Sequence, residues 1–285
     1  MQLSHLNIDI NNPIVIPTLH TDSALINYVL MLADSTLVLT QRNAAWCGHG
    51  PILEQDIAIT NITLDLIGQA RNFYQYAALL INEQSTRLQI PKEETEDSLA
   101  YLREERAFKN LLLTEQENGD WAQTIVRQFF FSVYQYLLFE QLQHREDKQL
   151  AAIAAKSLKE VTYHVKWSTE WVIRLGDGTK ESTTRMQNAV AELWQYTGEL
   201  FIPSAYETEL AAQYYIPALS SLKDAWLTKI EEVFTEATLA NTIQYTEGKE
   251  VYMQRGGKEG IHTEKLGYLL AEMQYLQRVH PGAAW

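Results

Sequence analysis

Apolar residues recur along this chain at three- and four-residue spacing over long stretches separated by short breaks. From Thr21 to about Trp46, the positions Leu25, Tyr28, Val29, Leu32 and Leu39 fall on one helical face, with Thr21 and Asp22 as candidate caps. Gly48-His49-Gly50-Pro51 breaks the pattern, and Pro51 suits the first turn of a second helix running from about Ile52 to Ile81. A polar segment, Asn82 to Glu96, precedes a shorter helix from about Asp97 to Thr114, and Asn118-Gly119-Asp120 signals a turn. A third long helix is predicted from about Trp121 to His144 and a fourth from about Lys148 to Leu175, stopped by Gly176-Asp177-Gly178. Further helices follow near Thr183 to Phe201, Ala218 to Leu239 and His262 to Val279, with linkers around Pro203 and Arg255-Gly256-Gly257. Residues 1–20, with Pro13 and Pro17 and no helical period, read as an extended arm. No run reads as a strand core and no fixed-period repeat is present. The pattern therefore predicts an all-α chain: an arm, then one domain over residues 21–285. Its core is a four-helix bundle over about 21–176 made of two hairpins, with added C-terminal helices over about 183–285.

Bundles of the ferritin-like kind carry diiron sites built from one glutamate and one Glu-x-x-His pair per hairpin. With the first loop centred between His49 and Gly50, Asp65 comes level with Asp34, and both acids interrupt apolar stretches where an ionised carboxylate needs a partner. In the second hairpin, centred near Glu146, Glu160 comes level with Ser132 or Val133. The remaining ligand positions fail. Gly68 stands three after Asp65, Tyr163 stands three after Glu160, and Ser132 stands where an acid belongs, while His164 is offset by about 100°. Three carboxylates without imidazole make a poor iron site. Asp34, Asp65 and Glu160 thus read as relict ligand positions, neutralised by protonation or by a cation such as Lys156 or Lys159. The alternative is an atypical, carboxylate-rich diiron oxygenase using these acids.

Other candidates carry less. Cys47, His49 and His5 could suggest a nucleophile or metal, but Cys47-Gly48-His49 sits in a tight turn. A Ser-His-Asp triad cannot be asserted from residue types alone. Arg255-Gly256-Gly257-Lys258-Glu259-Gly260 is basic and glycine-rich, yet lacks a preceding strand and the P-loop ending, and reads as a linker docking on a partner, with a CoA phosphate contact as the alternative. Arg103, Arg106, Phe108, Lys109 and Asn110 mix fork-shaped donors, an aromatic and an amide, as contacts to a CoA phosphate or a partner would. A solvated helix with charge pairs explains the same residues.

Composition narrows the function. The formal net charge of −13 lacks the basic stripe of a nucleic-acid binder. One cysteine in 285 residues excludes an internal disulfide and an all-cysteine metal site, as befits the reducing cytoplasm. Neither a signal-peptide pattern nor about 18 uninterrupted apolar residues is seen, so no membrane partner is expected. Seven Trp and fifteen Tyr suit both core packing and protein contacts.

The wording of several stretches is specific. Trp46-Cys47-Gly48-His49, Asp65-Leu66-Ile67-Gly68-Gln69-Ala70-Arg71-Asn72-Phe73, Asn110-Leu111-Leu112-Leu113, Lys159-Glu160 with Tyr163-His164, and His262-Thr263-Glu264 through Ala271-Glu272-Met273-Gln274-Tyr275-Leu276-Gln277-Arg278 closely resemble the C-subunit family of the bacterial phenylacetyl-CoA ring 1,2-epoxidases. They span roughly residues 25–285. The resemblance implies a ligand-less ferritin-like subunit, with no cofactor of its own, that pairs with a catalytic diiron A subunit and keeps it soluble. It also implies a small B subunit and a flavin and iron–sulfur reductase that uses NADPH, with dioxygen as co-substrate. The helices that pair are expected to be the first and second.

Overall fold

The computed structural model describes residues 18–88, 93–240, 242, 252–281 and 283, the side chains of 18–22 excepted. Ten α-helices and four 3-10 turns, and no strand, are present among them. The first hairpin joins α1 (Thr18–Ala44) to α2 (Leu53–Arg87); the second joins α4 (Trp121–Leu142) to α5 (Lys148–Gly176). The hairpins pack through α2 against α5. Between them lie α3 (Glu96–Tyr101) and a 3-10 turn at Glu105–Ala107. After the bundle come α6 (Lys180–Leu193), α7 (Ala205–Ala212), α8 (Ser220–Glu236), α9 (Glu264–Met273) and α10 (Tyr275–Val279). Helices α6 and α8 lie on α4, whereas α7 and α9 lie on α1.

Local chemistry starts several helices where the sequence predicts. Asp120 and Asp147 accept from the amides of Gln123 and Leu150, and Thr179 with Ser182 closes a capping box on α6. Helix α1 is apolar almost all round and is enclosed by α2, α7 and α9. Its segment Ser23–Ala44 is apolar enough to cross a membrane, but 89% of its most apolar window is buried inside the protein, as in a core helix.

Several boundaries differ from the sequence pattern. The predicted arm at residues 1–20 lies outside the described residues except for 18–20, which already belong to α1, so Thr21 and Asp22 fall inside the helix rather than capping it. Helix α2 begins after Pro51 and continues through the polar segment to Arg87, where Asn82 exchanges side-chain hydrogen bonds with the backbone of Glu94. The predicted helix from Asp97 to Thr114 is instead one short helix and a buried irregular strap. The strap holds Phe108, Asn110, Leu111, Leu112 and Leu113 against the bundle, and its amides bond to side chains instead of to a helical ladder. Helix α7, capped reciprocally by Ser204 and Glu207, is absent from the sequence pattern, and the helix expected to reach Phe201 ends at Leu193 and gives way to 3-10 turns.

Candidate functional site

The inward line of α5 runs through Ser157, Val161, His164 and Ser168, all buried. Helix α2 presents Asp65 and Gln69 to it. The His164 Nε2 lies 3.0 Å from an Asp65 carboxylate oxygen, and Gln69 Nε2 donates to Glu160 at 2.8 Å. The reach to the bundle interior is thus made at i+4, by Gln69 and His164, and not at i+3. Tyr163 is 44% exposed, and a Cβ placed on Gly68 would touch nothing. The 100° offset expected to turn His164 away instead brings it to Asp65. Lys156 and Lys159, the proposed counter-charges, are both exposed.

Asp34 does not join this group. It is fully buried and accepts from Tyr74 Oη at 2.5 Å, from both terminal nitrogens of Arg103, and from the Lys109 amide at 2.8 Å. Tyr74 stands nine residues beyond Asp65, about 13 Å along α2, so Asp34 and Asp65 are not level. The turn after α1 folds alongside the first turns of α2, where Thr60 meets Cys47, so the hairpin is centred near residue 54 rather than between His49 and Gly50. The Arg103 guanidinium also stacks over Phe108, 4.3 Å from the ring centroid. Burial works against its charge, but the Asp34 carboxylate outweighs that and holds its pKa above the usual value. Burial, with Asp34 beside it, pushes the Tyr74 phenol well up.

These residues do not fit a diiron centre. Asp34 spends its lone pairs on four donors, Asp65 and Glu160 are each engaged by a side chain of the facing helix, and Ser132 accepts from Gln128 in a chain running to Asn43. Among the described residues no group of three His, Cys, Asp or Glu side chains is arranged to hold a metal.

Most of the remaining candidates make contacts within the chain. Phe108 and Asn110 are fully buried, Lys109 lies over the Tyr206 ring, and Arg106 is exposed. Three of the five proposed CoA or partner contacts, Arg103, Phe108 and Asn110, therefore serve the interior. In the turn before α2, Asp56 accepts the amides of Gly48 and Gly50, Thr60 donates to Cys47 Sγ at 3.3 Å, and His49 meets the Cys47 carbonyl rather than its sulfur. His5 lies outside the described residues.

The glycine-rich segment is an anion cradle already filled. The amides of Gly256 and Gly257, each at 2.8 Å, and Leu112, at 2.7 Å, surround the buried carboxylate of Glu199. Burial raises the Glu199 pKa despite these donors. A side chain at 257 would collide with the Asn110 carbonyl, 2.2 Å from the added Cβ, so the position requires glycine. Beside it, buried Lys258 pairs with Glu207 at 3.0 Å. The segment docks on its own chain rather than serving as a partner-facing linker. Sequence reading missed Glu199, Glu207, Glu115 and Gln69 as buried polar anchors; only the Ser204-x-x-Glu207 capping box was available as a signal.

Comparison with known proteins agrees with this architecture. The model of the phenylacetic acid catabolic protein family matches residues 15–285. The chain is 47% identical over 258 residues to the C subunit of the 1,2-phenylacetyl-CoA epoxidase of Escherichia coli strain K12, an alignment covering 90% of this chain and 98% of that protein. With nearly its whole length matched on both counts, the chain belongs to the phenylacetic acid catabolic protein family.

Proposed function

We propose that this chain is a structural, non-catalytic subunit of a multicomponent diiron monooxygenase that epoxidises the aromatic ring of phenylacetyl-CoA, working in the cytoplasm during phenylacetate catabolism. It pairs with the catalytic A subunit and stabilises it. In this reading iron resides in the A subunit, flavin and iron–sulfur reside in the reductase, and the assembly also holds a small B subunit. The observation that carries the reading is Asp34: a fully buried carboxylate, read from the sequence as a relict ligand, whose acceptor capacity is already taken by Arg103, Tyr74 and the Lys109 amide. The Arg103 guanidinium supplies the positive charge that this buried carboxylate needs, so the charge requires no metal to balance it. Stabilising a partner needs no chemistry in this chain, because binding the folded partner shifts its folding equilibrium by mass action.

One contact favours the rival reading, an oxygenase with an atypical site: His164 and Asp65 are adjacent, as two ligands of one metal would be. Co-purification with the catalytic subunit, followed by metal quantification on each separated chain, decides between them. The subunit reading expects stable co-purification and sub-stoichiometric iron in this chain; stoichiometric iron, or epoxidation by this chain alone, overturns it. Replacing Asp65 by Asn adds a second test, abolishing turnover under the rival reading and altering only stability under ours.

A further inference from the structure

The outward face of α2 carries large aliphatic side chains where a solvated helix would carry charge. Leu53 is 72% exposed, Ile57 52%, Leu64 62% and Ile67 39%. With Thr60 and Arg71 they run 53, 57, 60, 64, 67, 71, alternating steps of four and three, which is the heptad seam of helix-on-helix packing. The seam extends about 27 Å. Exposed apolar stripes of this order mark contact sites, and the heptad spacing selects another helix as the complementary shape. Gly68 on its flank leaves open space, so a facing backbone can come close there.

The seam ends in a socket. A cavity of about 350 Å³ lies between α2 and α3, with Leu37, Ala70, Ala100 and Tyr101 in its walls and Ile67 and Arg71 shared with the seam. Its rim carries Glu96 and Asp97. Glu54 at the start of α2, with Glu96 and Asp97 on the rim, puts negative charge beside the seam, whereas Asp56 and Asp65 are held by the Gly48 and Gly50 amides and by His164; the first base after Leu53, Arg71, already lies 3.4 Å from Glu96. An occupant must therefore bring apolar knobs at heptad spacing and positive charge beside them. Tyr74 forms another wall of the socket and bonds to Asp34, so a side chain seated there packs directly on the group that holds the buried carboxylate.

We infer that the α2 seam and its socket receive one α-helix of the catalytic partner, bearing Lys or Arg beside its apolar stripe and placing one bulky apolar side chain in the socket. The inference rests on the subunit reading above and names the surface that reading uses. It also narrows the expected pairing of the first and second helices, since α1 is enclosed within its own chain and only α2 is available.

The test measures the affinity of the full-length chain for the purified catalytic partner. Leu64→Asp and Ile67→Asp replace exposed side chains, and each is expected to raise Kd by at least about 30-fold, as interface anchors do. Glu96→Lys combined with Asp97→Lys removes the acidic rim without touching the core, and a loss of affinity is expected there too. Tyr268→Ser, on the exposed face of α9, is the control and should leave Kd within about twofold. If the wild-type chain does not bind the catalytic partner, the subunit reading itself fails. If it binds and the seam variants bind equally well, this inference alone is overturned. Sedimentation of the isolated chain covers the remaining occupant: a homodimer abolished by Leu64→Asp, with the heteromeric Kd unchanged, would assign the seam to a second copy and overturn the inference as well.

Discussion

At Asp34, burial and partner choice decide what the residue can do. Its carboxylate is fully enclosed while the Arg103 side chain is 14% exposed, so the pair sits where an unpaired charge is costly and a paired one is tolerated. Replacing Arg103 by Met strands the carboxylate, and urea titration should show a loss of about 3–5 kcal/mol. Adding Asp34→Asn removes the stranded charge while leaving an amide oxygen for Tyr74 and the Lys109 amide, so the double variant should recover part of that loss. Strictly additive losses would show that the two groups do not act as a pair. The need for a counter-charge was legible in the sequence, because an acid in an apolar helix must be neutralised somehow. Its identity was not: Arg103 lies 69 positions away in a segment whose apolar run resembles a helix, and periodicity cannot tell such a run from a buried strap. Lys156 and Lys159, the cations that the sequence suggests for this role, face solvent.

Among the elements, long helices were legible because their apolar stripes persist over many turns; what failed was the count across connections. A hairpin loop centred a few residues early brought Asp34 level with the wrong part of α2, and an i+3 rule applied to α5 selected the exposed Tyr163 over the buried His164. Gly68 illustrates the consequence. Expected at a ligand position, it sits partly exposed in the interior of α2 with free space where a Cβ would be. Gly68→Ala should raise the stability of the isolated chain by about 0.5–1 kcal/mol through helix propensity, measured as a higher urea midpoint. A decrease would mean that α2 needs glycine there for its own sake.

The C-terminal α9 is anchored by a different device. The buried side chain of His262 places Nδ1 2.9 Å from Glu115 and Nε2 2.9 Å from the Phe108 carbonyl, so both ring nitrogens face acceptors. Burial favours the neutral ring, but Glu115, the Phe108 carbonyl and more distant Asp34 prevail and hold the pKa above 6.5. With the folded pKa above the unfolded one, this stabilisation is complete below about pH 6.5 and disappears as pH rises through the raised value. The melting temperature of the wild type should therefore exceed that of His262→Gln most at pH 6, and the gap should shrink on the alkaline side. A gap that widened with pH would show that the ring is neutral in the fold.

For the molecule as a whole, charge and apolar surface divide the work of association. Thirty-six acidic residues against twenty-three basic ones leave a net charge of −13, and Glu96 and Asp97 share the socket with the seam residues Ile67 and Arg71. Long-range attraction acts before contact and is screened by salt, whereas apolar burial acts after contact and is not. If the partner presents a basic-flanked helix, raising the salt from about 50 to 500 mM should slow association by roughly tenfold while changing the dissociation rate less than about threefold. Leu64→Asp should show the opposite division, with a faster dissociation rate and an association rate lowered only by the added like charge. Stopped-flow or surface-based kinetics on the two purified chains separates these rates. An association rate indifferent to salt would remove the electrostatic part of the argument and leave the acids as a solvated face, with the aliphatic seam alone to account for pairing.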